Sequence, residues 1–223
     1  MRFRKLMWLG ILGCVATALS RETPPSSPRP VAEVSLVDLR KLDPSIVVDL
    51  RYATAENVTH QVLYPRDMPA LVRPSVGDRL VAAQTFLRAH GYGLKIWDAY
   101  RPRSAQQKLW EVTRTGSYVA DPSSGIGSMH TRGAAVDATL VDRTGHEVAM
   151  PTEFDNFTPA AMLVYRGTDT GVRANLLMLQ RAMARVGFYG LRTEWWHFCA
   201  EDWAKYQPVK ELPATVSSPA PAS

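Results

Sequence analysis

The sequence predicts an α+β fold, a small and mostly antiparallel sheet with helices packed over it. Three observations predict it. Apolar residues recur at helical spacing in two segments: Val76, Leu80, Ala83 and Leu87, then Leu176, Leu179, Met183 and Val186. Four short runs, Ile46–Leu50, Leu94–Tyr100, Val136–Val141 and Thr193–Phe198, read as strands. The chain has 223 residues, 46% hydrophobic and 21% charged, which suits one globular domain of ordinary size.

Residues 1–20 read as an export signal. Arg2, Arg4 and Lys5 precede an apolar stretch from Leu6 to Leu19 that is too short to span a bilayer comfortably. Ile11-Leu-Gly-Cys14 looks like a lipoprotein cleavage box with Cys14 as the lipidated residue, and cleavage after Ala18 is the competing outcome. The expected location is the cell envelope, in the periplasm, with membrane contact only through a lipid at Cys14. Residues 21–33 are a Pro/Ser-rich linker and 212–223 a Pro/Ala/Ser-rich tail, leaving a folded domain over 34–211. Three of the basic groups behind the net charge of +5 lie in the first five residues, and no Lys/Arg run suits phosphates, so nucleic acid is not an expected partner. Cys199 reads as a small buried apolar residue.

Within the domain, the strand Ile46–Leu50 leads to a loop at Tyr52. A helix over Val76–His90 is ended by Gly91, with His90 as a partner for the helix dipole. The strand Leu94–Tyr100 ends at Arg101-Pro102. Ser104-Ala-Gln-Gln107 then resembles a capping box opening a helix to about Arg114. Tyr118–Gly127 is a loop fit to wall a cleft. The strand Val136–Val141 carries Asp137, and His146 sits in a solvated turn. The second long helix covers Gly171–Val186, Gly187-Phe-Tyr-Gly190 turns, and the last strand is Thr193–Phe198. Trp195 and Trp196 alternate faces there, one for the core and one to shield a site.

The chemistry-bearing stretches are Ser128-Met-His130-Thr-Arg-Gly-Ala-Ala-Val-Asp137 and Glu194-Trp-Trp-His197. His130, Asp137 and His197 offer two imidazoles and a carboxylate, a set that Zn²⁺ accepts in catalytic sites. Gly133 suits a tight turn folding Asp137 back toward His130. Glu194 is a spare carboxylate, the group type that moves protons beside a metal. The plain alternative is two structural histidines and a solvated acid. Residues three apart face opposite ways on a regular strand, so Glu194 and His197 share a site only across a twist, a bulge or a strand end.

These motifs, with Tyr52-Ala-Thr-x-x-Asn57 and Trp97-Asp-x-Tyr-Arg101-Pro102, resemble the zinc D-alanyl-D-alanine dipeptidases (VanX type), within the larger group of peptidoglycan-directed zinc D,D-peptidases. Where that family usually carries Phe after the asparagine, Val58 stands here. The resemblance implies one Zn²⁺ in a cleft, held by His130, Asp137 and His197, with Glu194 as base and Arg101 stabilising the tetrahedral transition state. It puts Tyr52 and Ser128 at the substrate. Asp155, after Met150-Pro-Thr-Glu-Phe, would attract the free ammonium of a short peptide. The implied reaction is hydrolysis of D-Ala-D-Ala to free D-alanine in peptidoglycan metabolism. The competitors are a D,D- or L,D-carboxypeptidase acting on stem peptides, which would use the same four residues, and a non-catalytic wall-binding zinc lipoprotein.

Overall fold

The computed structural model describes residues 35–114 and 116–209. The expected signal segment, the linker, Cys14 and the tail lie outside the described residues.

A five-stranded sheet organises the domain, in the order β2-β4-β5-β7-β6. Its members are β2 (Val47–Val48), β4 (Tyr92–Asp98), β5 (Ala135–Asp142), β6 (Phe188–Leu191) and β7 (Glu194–Ala200). Only the β2–β4 pair is parallel. A second, two-stranded antiparallel sheet joins β1 (Val37–Asp38) to β3 (Leu71–Val72). The helices are α1 (Leu39–Leu42), α2 (Pro74–Ala89), α3 (Arg103–Thr113) and α4 (Thr170–Ala184). The α+β expectation therefore stands, with a sheet antiparallel at every pair but one.

The two long helices form where the apolar spacing placed them. Leu80 and Leu87 of α2 and Leu176 and Leu179 of α4 are buried in one cluster with Leu94, Ile96 and Leu140 of the sheet. Each such side chain contributes about 1.5–3 kcal/mol on leaving water, so this cluster carries much of the sheet's rigidity.

Three local expectations are corrected. No side chain caps the start of α3, so Ser104 forms no capping box; Pro102 precedes the helix in an extended conformation, φ −57° and ψ 148°. The segment read as a turn at 187–190 is strand β6: only Gly187 turns, at φ +81°, and Phe188 then pairs with Ala200. The strand expected over Ile46–Leu50 shrinks to Val47–Val48, at one end of the sheet.

Two irregularities of register position the site. Ile96 pairs with Ala138, but after a bulge Asp98 pairs with Asp137. Asp137 in turn pairs with His197, so Asp98, Asp137 and His197 stand side by side across β4, β5 and β7. The second shift, between Gly190 and Leu191, moves the β6 partner from Phe198 to Glu194.

Candidate active site

His130 opens a single turn of 3-10 helix, His130–Arg132, closed by Gly133. Gly133 has φ +67°, and a Cβ there would come within 2.7 Å of the Leu36 side chain. Glycine is thus required to bring the chain from His130 into β5. The Ala99 carbonyl lies 2.7 Å from His130 Nδ1, so Nδ1 carries the proton and Nε2 is left as a lone pair facing inward.

That Nε2 lies 3.1 Å from His197 Nδ1 and 3.4 Å from Asp137 Oδ1, and the last two atoms are 3.0 Å apart. All three atoms lie within 4.8 Å of one another. Ligands at the ~2.0–2.2 Å typical of tetrahedral Zn²⁺ stand ~3.4 Å apart, so the triangle has the size of three corners of such a site. Charge fits as well. Burial holds the His197 imidazole below its ordinary pKa despite Asp137 beside it. Burial alone would raise Asp137, but His130 and His197 hold it far below the carboxylate range. One anionic oxygen and two imidazole nitrogens converge on one point, and a cation suits them.

Glu194 begins β7, where the shifted register breaks regular alternation, and its Oε2 is 4.0 Å from His197 Nδ1. Its Oε1 is buried and has no hydrogen-bond partner among the described residues. Burial, then the neighbouring charges of Asp137 and Asp155, push its pKa well above the usual value, against a smaller opposing pull from Arg101. A buried carboxylate whose proton affinity is raised, with one oxygen unengaged, is suited to proton transfer.

Arg101 is buried and held on three sides. Its Nε donates to Asp98 Oδ2 at 2.9 Å, Nη1 to Gln106 Oε1 at 3.0 Å, and Nη2 reaches Asp137 Oδ2 at 3.4 Å. Nη2 also lies 2.8 Å from Asp98 Oδ2, and the guanidinium carbon sits 4.9 Å from the Tyr52 ring centroid. Sequence reasoning missed Asp98 and Gln106. Asp98 is fully buried, accepts the Tyr64 hydroxyl at 2.7 Å and stands 3.4 Å from His130 Nδ1. One carboxylate thus orients both Arg101 and His130 from behind. Its place three residues before Arg101 was the available signal.

His130, Asp137, His197, Glu194 and Arg101 border a cleft of about 230 Å³. It is smaller than the ~300–1,000 Å³ of pockets for drug-sized ligands, as a short substrate requires. Tyr52, Ser128 and Asp155 line it together with the three candidate ligands, Glu194 and Arg101. Ser128 Oγ accepts the His130 backbone N–H at 3.3 Å. Asp155 accepts the Tyr52 hydroxyl and the Val58 N–H, both at 3.1 Å. Burial pushes its pKa up to about 7. Of the tryptophans, Trp196 lines the cleft, while Trp195 packs behind it and donates to Thr152 Oγ1 at 2.9 Å. His90 and His146 are exposed and remote from this cluster, and Cys199 is buried and free.

Residues 32–215 match the model of the Peptidase_M15 family, described as D-ala-D-ala dipeptidase. The chain is 33% identical over 171 residues to a D-alanyl-D-alanine dipeptidase of Escherichia coli, covering 77% of this chain and 87% of that one. It is 31% identical over 173 residues to one of Enterococcus faecalis, covering 67% and 83%. Among solved structures it is similar to the vancomycin resistance D,D-pentapeptidase VanY in complex with Zn(II), at 17% identity and a TM-score of 0.39, over 60% of this chain and 74% of that one.

Proposed function

The chain belongs to the D-alanyl-D-alanine dipeptidase family of peptidases, and from that premise we propose that it hydrolyses D-Ala-D-Ala to two molecules of D-alanine with the help of one Zn²⁺. The observation that carries this reading is the triangle of His130 Nε2, Asp137 Oδ1 and His197 Nδ1 beside the unpartnered oxygen of Glu194.

His130, Asp137 and His197 would hold the zinc, which when bound polarises a carbonyl and lowers the pKa of water toward ~7. Glu194 takes the proton of the attacking water. The same proton then passes to the departing amine as the peptide bond breaks, and the new carboxylic acid gives up the water's second proton to the amine or solvent. Arg101 engages three acceptors, and its fork of five N–H groups leaves capacity to receive the developing oxyanion. Removing one such donor elsewhere costs about 3–4 kcal/mol of transition-state stabilisation. Asp155 anchors the substrate ammonium, Tyr52 orients that carboxylate, and Ser128 contacts the substrate from the turn that carries His130. The buried Trp196 excludes water along one wall, which strengthens each of these interactions.

A non-catalytic zinc site has no need of Glu194, whose buried Oε1, without a partner among the described residues, is a standing cost. We place the protein in the periplasm or on the envelope membrane, on the strength of the basic and apolar residues before Ser20 and the box at Cys14. There it would recover dipeptide released from the wall.

The test is product analysis on D- and L-configured dipeptides. D-Ala-D-Ala should release D-alanine, a chelator should abolish the release, and Zn²⁺ should restore it. Release that no chelator affects, or no release from the zinc-loaded protein, would overturn the reading.

A further inference from the structure

Two aromatic rings at the cleft take no part in the chemistry described so far. Tyr118, from the loop between α3 and His130, and Phe157, from the connection between β5 and α4, stack with ring centroids 4.8 Å apart and planes inclined by 17°. Both rings line the same cleft as Glu194 and Asp155. We propose that this stacked pair closes the cleft beyond Asp155 and sets the substrate length at two residues.

This role rests on the proposed function, in which Asp155 takes the substrate ammonium. Phe157 is two residues from Asp155, and its N–H donates to the Asp155 carbonyl at 3.0 Å. The backbone that carries the ring is therefore tied to the backbone that carries the anchoring carboxylate. The backbone on either side of Tyr118 is held from two other directions. Gln106 Nε2 donates to Ala120 O at 2.7 Å, and Thr193 Oγ1 donates to Ser117 O at 3.2 Å. Gln106 is the side chain that also holds Arg101, so the loop carrying Tyr118 is tied to the catalytic arginine through one buried amide. A peptide extended at its amino end places new atoms on the nitrogen that Asp155 would hold. Those atoms need the space that the stacked rings fill.

The chain thereby discriminates twice against longer peptides. Acylation removes the positive charge that Asp155 attracts, and the stack obstructs the added residue. Specificity built from a lost attraction and an added clash exceeds what either supplies alone.

The experiment compares kcat/KM for L-Lys-D-Ala-D-Ala with that for D-Ala-D-Ala in the wild-type holoenzyme, in Phe157→Ala and in Tyr118→Ala. Tyr118→Leu, which keeps an apolar side chain, covers the event that an alanine variant does not fold. Bound zinc is measured in each. The tripeptide-to-dipeptide ratio should rise about tenfold or more in the variants, the size expected when a steric obstacle of a few atoms is removed. An unchanged ratio in zinc-loaded variants that still cleave the dipeptide would overturn the proposal, as would a wild type that cleaves both peptides equally well. A wild type that cleaves neither would instead overturn the functional reading.

Discussion

Asp98→Asn changes one charge and almost no volume, at a residue with no solvent exposure. The carboxylate accepts the Tyr64 hydroxyl at 2.7 Å, and its Oδ2 lies 2.9 and 2.8 Å from Arg101 Nε and Nη2. In asparagine one oxygen becomes an NH₂, which turns donor against donor at one of these contacts. Two charges at such a distance attract by roughly 4–6 kcal/mol at an effective dielectric near 20. Desolvation offsets much of that in the intact pair, but the variant keeps the desolvated guanidinium without its partner. Breaking buried pairs costs about 3–5 kcal/mol. Each kcal/mol moves the midpoint of a domain this size by about 2–4 °C, so Tm should fall by roughly 6–20 °C. The assay is thermal unfolding followed by circular dichroism, with zinc content and dipeptide hydrolysis measured on the same samples. Arg101 would be left with Asp137, at 3.4 Å, as the one carboxylate in ion-pair contact with it among the described residues, so activity should fall more through kcat than through KM. A loss below about 2 °C with full activity would refute the assignment of Asp98 as the group that holds the guanidinium in place.

Three other substitutions probe the remaining parts. Arg101→Lys should keep zinc but lower kcat about 100- to 1,000-fold, because an ammonium cannot reach Asp98, Gln106 and an oxyanion at once; wild-type turnover would contradict this. Asp155→Asn should raise KM for the dipeptide about 10- to 100-fold through loss of a charge-assisted contact. The Asp155 pKa is pushed up to about 7, so the folded metal-free protein favours the neutral acid. That preference is fully present below the unfolded value near 4 and is lost as pH rises through about 7, so Asp155→Asn should gain stability relative to wild type from pH 4 to pH 8. Urea midpoints at the two pH values check the sign, and a difference independent of pH would contradict it. Gly133→Ala forces a side chain onto a φ of +67° against Leu36 and should cost at least ~1–2 kcal/mol; because this turn joins His130 to Asp137, zinc should also bind more weakly, which a competition titration against a chelator reads directly.

What the sequence made legible was periodic or chemically marked. The helices α2 and α4 followed from apolar spacing, and β5 followed from a run buried along nearly its whole length. His130, Asp137 and His197 could be singled out because imidazoles and a carboxylate in apolar surroundings need a reason to be there. What stayed hidden depended on register. Glu194 and His197, three apart, reach one cleft because the β6–β7 pairing shifts between Gly190 and Leu191, a fact of two strands and not of one. The bulge between Ile96 and Asp98 likewise sets Asp98 opposite Asp137, and no local pattern announces it. Strand β6 was masked by Gly187 just before it and Gly190 within it, which suggest a turn until long-range pairing with β7 holds the segment extended. Gln106 looked like an ordinary helical residue, and its role emerges only because α3 packs it between Arg101 and the carbonyl of Ala120.

Catalysis depends on a proton-carrying acid that would stand beside the metal without holding it. Glu194→Gln isolates that acid, since it keeps the shape of the side chain and removes its basicity. The protein should retain one equivalent of zinc and an unchanged fold, while D-alanine release from D-Ala-D-Ala drops by about 100- to 10,000-fold. Near-normal hydrolysis by the variant, or loss of the zinc along with the activity, would contradict the division of labour between Glu194 and the three ligands.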